Sequence, residues 1–96
     1  MAAVTIVRHR VQDYDAWKRV YDSVKPLQQA GGVMAHGVFR SIDDPSMVTV
    51  LHTFETADKA RTFFGNEELK QAMVNAGVDM STFQLDIADE IAFGRL

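Results

Sequence analysis

Two histidines stand at similar distances from one turn in the stretch AHGVFRSIDDPSMVTVLH, Ala35 to His52. Imidazole is the only side chain whose ordinary pKa lies near neutrality, so His36 and His52 are the first candidates for moving a proton. Each lies in a short apolar run, and IDDPS between the runs reads as a turn, because Asp and Ser bond back to the backbone and Pro fixes φ. A hairpin centred on Asp44 pairs Arg40 with Val48, Val38 with Val50, His36 with His52 and Met34 with Phe54. Paired residues share a face with Cβ atoms about 5 Å apart. A slip of one residue would send the two rings to opposite faces.

In register, burial and a second imidazole both lower the pKa and keep the ring a neutral proton acceptor. Such a base can take a proton from a phenol or an activated methylene, starting either oxygenation of the carbanion or an aldol-type cyclisation. The alternative is a pair of structural histidines bonded to the backbone or to each other. A metal centre would need His9 as a third ligand, since three His ligands with one open position is a catalytic zinc arrangement. No carboxylate sits at ligand spacing beside these histidines, so no metal is expected.

Trp17 and Tyr21 are spaced i and i+4, and Phe63 and Phe64 recur in a later apolar stripe. Trp17, Tyr21 and Phe64 are the candidate walls of a cleft for a flat aromatic ligand, with the Tyr21 hydroxyl orienting a polar substituent. The same spacing also suits plain core packing. Arg8, Arg10 and Arg40 would bind a carboxylate or phenolate if they faced that cleft, and would otherwise pair with residues such as Asp43.

These side chains need elements to hold them. AVTIVRHRV, Ala3 to Val11, is short and β-branched, as a strand should be. Trp17, Val20, Tyr21, Val24 and Leu27 then mark an amphipathic helix, with Asp13 as N-cap and Gly31 or Gly32 ending it. Pro26 predicts a kink or break near Lys25, because it removes a helix hydrogen bond and crowds the preceding turn. Strands follow over Val33 to Ser41 and Met47 to Glu55. A second helix starts at Thr56, is interrupted at Gly65 and Asn66, where Asn66 can recap it, and runs to Gly77. After GVDMS as a connection, alternation in TFQLDIADEIA gives a last strand.

The order is β-α-β-β-α-β, an α+β ferredoxin-like arrangement. Both helices then lie on one face of a four-stranded antiparallel sheet, with the first and third strands central. In MVTVLHTFE one face carries Val48, Val50, His52 and Phe54, and the other Met47, Thr49, Leu51 and Thr53. Neither face is strongly polar, so a second copy of the chain is expected over the face without helices.

At 96 residues the chain reads as one domain, 1–96, and a domain this small gains from association. Apolar residues at 47% against 24% charged describe an ordinary globular protein. The net charge of −3 and ten scattered basic residues leave no face able to neutralise several phosphates, so nucleic acid is not an expected partner. The absence of cysteine excludes disulfides and thiolate chemistry. The start MAAVTIVRHRV lacks the pattern of a signal peptide, and no apolar run approaches the roughly 20 residues that cross a membrane, so a cytoplasmic protein is expected.

DYDAWKRVYDSVKPLQQAGG, AHGVFRSIDDPSMVTVLHTFE and NEELKQAMVNAGV resemble the dimeric α/β-barrel superfamily, in the branch grouped with antibiotic-biosynthesis monooxygenases and small cyclases. The resemblance runs from about Val4 to Ile91. It implies a homodimer whose two ferredoxin-like sheets pack face to face into an α+β barrel, with a ligand cleft between each sheet and its own helices. It also implies one of several activities, among them cofactor-free oxygenation of aromatic polyketides, cyclisation, haem degradation and isomerisation. The haem-degrading members use a histidine on the second helix, and Thr56 to Gly77 contains none. The expectation is a small-molecule protein without cofactor, a monooxygenase or cyclase with His36 or His52 as base. The competing reading is a dimer that binds a ligand or serves structure without chemistry.

Overall fold

Period-two burial governs the first strand: Ala3, Thr5, Val7, His9 and Val11 are all buried on one face of β1 (Ala3–Val11). The computed structural model describes residues 2–96. After β1 come α1 (Tyr14–Ser23), α2 (Lys25–Ala30), β2 (Ala35–Arg40), β3 (Met47–Phe54), α3 (Ala57–Phe64), α4 (Glu67–Asn75) and β4 (Val78–Asp89). All strand pairs are antiparallel and the sheet order is β2-β3-β1-β4, which puts β1 and β3 in the centre.

The helices begin and break where local chemistry requires. The Asp13 carboxylate accepts from the Ala16 amide to start α1, and Pro26 occupies the first turn of α2, where its missing N–H costs nothing. Val24 is the joint between the two. Thr56 accepts from Lys59 N to cap α3, and Asn66 accepts from Glu68 N and Leu69 N to cap α4. Gly32, at φ +87°, makes the left-handed turn that returns the chain to β2.

Strand limits are where the sequence reading needs correction. Val78 to Ser81 of the GVDMS stretch belong to β4, which starts at Val78 and ends at Asp89. A register shift lets β4 bulge between the partners of Arg8 (Gln84) and Arg10 (Asp79), and the Thr82 hydroxyl takes the Arg10 amide at 2.9 Å in place of a ladder bond. β2 is shorter than expected, and Met34 lies outside the ladder, exposed, instead of facing Phe54.

Val48 and Phe54 are fully enclosed between sheet and helices, and burial of such a side chain stabilises by about 1.5–3 kcal/mol. One core cluster joins Val7, Val11, Val48 and Val50 to Trp17 and Tyr21 of α1. A second joins Phe54 to Ala60, Phe63 and Leu69 of α3 and α4. Phe64 and Met73 touch both clusters, so the seam between them runs beneath the helix layer. On the opposite face Phe39, Ile6 and Leu51 have no helix over them, and Phe39 and Ile6 are exposed. No helix among the described residues is long and apolar enough to cross a membrane.

Candidate functional site

The hairpin register places His36 directly opposite His52, on the helix-facing side of the sheet. Asp44 fixes that register. Its carboxylate accepts from Ser46 N and Oγ and from the Arg10 guanidinium at 2.8 Å, tying the turn to β1. Above the pair, one turn of α1 after Trp17, Tyr21 lowers its hydroxyl between the two rings. The oxygen stands 3.1 Å from Nδ1 of His36 and 3.2 Å from Nε2 of His52. With a single proton on that oxygen, Tyr21 donates to one ring and accepts an N–H from the other.

The two histidines live in different surroundings. His52 is 5% exposed and flanked by Phe54, Phe63 and Phe64, whereas His36 lies on the edge strand β2 and is exposed. Burial first, and the charge of His36 second, push His52 down to about 4, so its ring is neutral at pH 7. Burial raises Tyr21, opposed by the neighbouring Gln28 amide, so the phenol keeps its proton. Among the described residues, Nδ1 of His52 is buried with no hydrogen-bond partner, as is Oγ1 of Thr5, which faces His52 across the β1–β3 ladder.

Aromatic rings continue the layer in both directions. Trp17 stacks on Tyr21 at 5.1 Å, Tyr21 is nearly parallel to His52, and Phe64 lies beyond. His9 closes the other end between Trp17 and Phe83, its ring lowered in pKa by burial and its Nδ1 unpartnered. Among the described residues, no group of three or more His, Cys, Asp or Glu is placed to hold a metal ion.

A cavity of about 50 Å³ lies at the seam of the two core clusters, lined by Tyr21, His52, Trp17, Phe63, Phe64 and Gln28 among others. Its wall is largely carbon. Leaving that space empty costs about 1 kcal/mol at about 24 cal/mol per Å³. Phe63 is also a wall of a wider groove of about 460 Å³ between α2 and α3, so one ring divides the inner cavity from an outer cleft.

Trp17, Tyr21, Phe64, His36 and His52 are therefore brought to one locus, with Phe64 half-buried and His36 at its outer edge. The arginines are not. Arg8 is exposed on the open face, Arg10 pairs with Asp44, and Arg40 lies 4.2 Å over the Tyr14 ring while its Nε donates to Pro45 O. Phe63, in the same apolar stripe as Phe64, also lines the cavity, and Gln28 joins it from α2 as a lining residue that the sequence reading does not name. Gln28 falls two helical turns after Tyr21, so the helical period did carry that signal, masked by the break at Pro26.

A candidate antibiotic biosynthesis monooxygenase from Bordetella bronchiseptica superposes with a TM-score of 0.77 at 18% identity, over 95% of this chain and 98% of that one. SnoaB, a cofactor-independent oxygenase from Streptomyces nogalater, does so with a TM-score of 0.70 at 12% identity, over 99% and 96%. The chain has the fold of antibiotic-biosynthesis-monooxygenase-like proteins. NE2512, a protein of unknown function from Nitrosomonas europaea, shares this fold too, with a TM-score of 0.75 at 18% identity over 99% and 94%. No family model matches the chain, and no curated protein matches it.

Proposed function

We propose that the chain is a cytoplasmic homodimeric enzyme that oxygenates an aromatic or polyketide-like compound without a bound cofactor, with His52 as the base. The carrying observation is the convergence of His36 and His52 on the Tyr21 hydroxyl beside an aromatic-walled cavity. A base held neutral by burial suits removal of a proton from a phenol or activated methylene. The carbanion then reduces dioxygen itself: a CH2 becomes C=O, one oxygen atom enters the product and the other leaves as water, so no outside reductant is needed. Trp17, Tyr21 and Phe64 form the wall against which a flat substrate would stack. Likeness in fold to SnoaB supports the oxygenase reading over a cyclase using the same base. The uncovered apolar residues Ile6 and Phe39 support the second copy.

Cavity size favours a second reading. About 50 Å³ is far below the roughly 300–1,000 Å³ of ordinary ligand pockets, which suits a dimer whose histidines serve the core. Incubation of a panel of phenols and anthrone-like compounds under ¹⁸O₂ separates the possibilities. The oxygenase predicts oxygen uptake and one ¹⁸O atom in the product, abolished in His52→Gln. Cyclised product without oxygen uptake supports the cyclase, and binding without turnover supports the non-catalytic dimer. Undiminished turnover in a His36→Gln, His52→Gln double variant would remove the base assignment.

A further inference from the structure

We propose that His52, Tyr21 and His36 form a directional proton relay that carries charge from the buried ring to the protein surface. This rests on His52 as base in the function proposed above, and it adds the route by which the proton leaves.

Direction follows from hydrogen-bond accounting. Two arrangements satisfy the hydroxyl. In one, His52 donates its Nε2–H to the Tyr21 oxygen and Tyr21 donates to Nδ1 of His36; in the other, both bonds reverse. Nδ1 of His52 is buried and has no partner. The reversed arrangement puts the single proton of neutral His52 on that nitrogen, creating a buried N–H with nothing to donate to, a group that folded proteins almost never contain. The first arrangement leaves only a bare lone pair there, and that lone pair is the basic site. His36 suits the other end, since it is exposed and its remaining N–H can bond to water.

Proton transfer through this chain balances. Nδ1 of His52 takes a proton from the substrate, its Nε2 proton passes to the Tyr21 oxygen, and the phenol's own proton passes to Nδ1 of His36. The positive charge thus appears on the exposed ring, and His36 can release its Nε2 proton to water. Running backward, the relay delivers a proton to an oxygen leaving the substrate. The outlet carries charges of both signs, so the direction rests on the hydrogen-bond accounting. Asp22, close enough to His36 to feel its charge, lies at the outlet, where Lys18 pairs with it at 2.7 Å and stands 5.9 Å over the Tyr21 ring, with Lys25 also near Asp22. Around the inner end stand Thr5, Phe54, Phe63 and Phe64, none of them charged.

The test needs no substrate. Imidazole ¹⁵N spectra of the whole protein should show His52 with its proton on Nε2 at neutral pH. Exchange of that proton with solvent should slow at least tenfold in His36→Gln, an exposed position that leaves the core intact, and millimolar free imidazole should restore it. Tyr21→Phe should slow exchange equally, without rescue. A proton on Nδ1 of His52, or exchange unchanged in His36→Gln, overturns the relay. Because neither measurement involves turnover, failure to find an oxygenated product would refute the oxygenase reading and leave these results standing.

Discussion

The Tyr21 ring lies 6° from parallel with that of His52, and its hydroxyl is 3.2 Å from Nε2. Tyr21→Phe keeps the stacked ring and removes only the hydroxyl, breaking its bonds to both histidines and stranding the buried Nε2 of His52. The expected loss of stability is about 1–3 kcal/mol, the cost of an unsatisfied buried polar group. A urea unfolding curve compared with wild type measures it, and an unchanged midpoint would show that the bond contributes nothing.

Acid should weaken the fold through His52. Its pKa in the folded chain is about 4, against 6.5 for a free imidazole, so between these values the unfolded chain binds a proton that the native state does not. Stability is therefore full above about pH 6.5 and declines as pH falls toward about 4, by about 3 kcal/mol from this ring. His9, also lowered by burial, acts in the same direction. Unfolding midpoints at pH 7.5, 5.5 and 4.5 should fall in that order, and His52→Gln should flatten the decline.

Gly31 is small because Phe63 lies against it: a Cβ there would overlap the ring. Backbone freedom is not the reason, since its φ is −80°. Gly31→Ala should displace the ring that divides the inner cavity from the outer groove, costing about 1–3 kcal/mol through overpacking. Near-ultraviolet circular dichroism should change with it. A variant with wild-type stability and spectrum would show that Phe63 shifts freely.

Ile6 and Leu51 face one another across β1 and β3 on the side without helices. Replacing both with Lys should leave the helix-facing core folded and disrupt association through that face. Light scattering should then return twice the 10.7 kDa chain mass for wild type and a single chain mass for the variant. A monomeric wild type at micromolar concentration would end the dimer proposal.

Much of this molecule was legible in short-range chemistry. Asp13, Thr56 and Asn66 cap the helices they precede, Pro26 opens α2 after the break, and the IDDPS turn sets the register that opposes His36 to His52. Each depends on residues a few positions apart, where steric and hydrogen-bonding rules act alone. The β4 bulge was not legible, because it answers to Arg10 and Thr82, which are far apart in sequence and meet only in the sheet.

The candidate site divides in the same way. Sequence alone placed Trp17 and Tyr21 on one helix stripe, since the helix period is a local property, and paired the two imidazoles only on the condition of a turn centred on Asp44, which the sheet register then met. Tertiary structure decided that the Tyr21 hydroxyl falls between the rings, that His52 is enclosed while His36 is exposed, and that Phe63 and Gln28 complete the cavity. Those outcomes depend on how far the helix layer sits from the sheet and where the sheet ends, quantities fixed by packing across the whole chain.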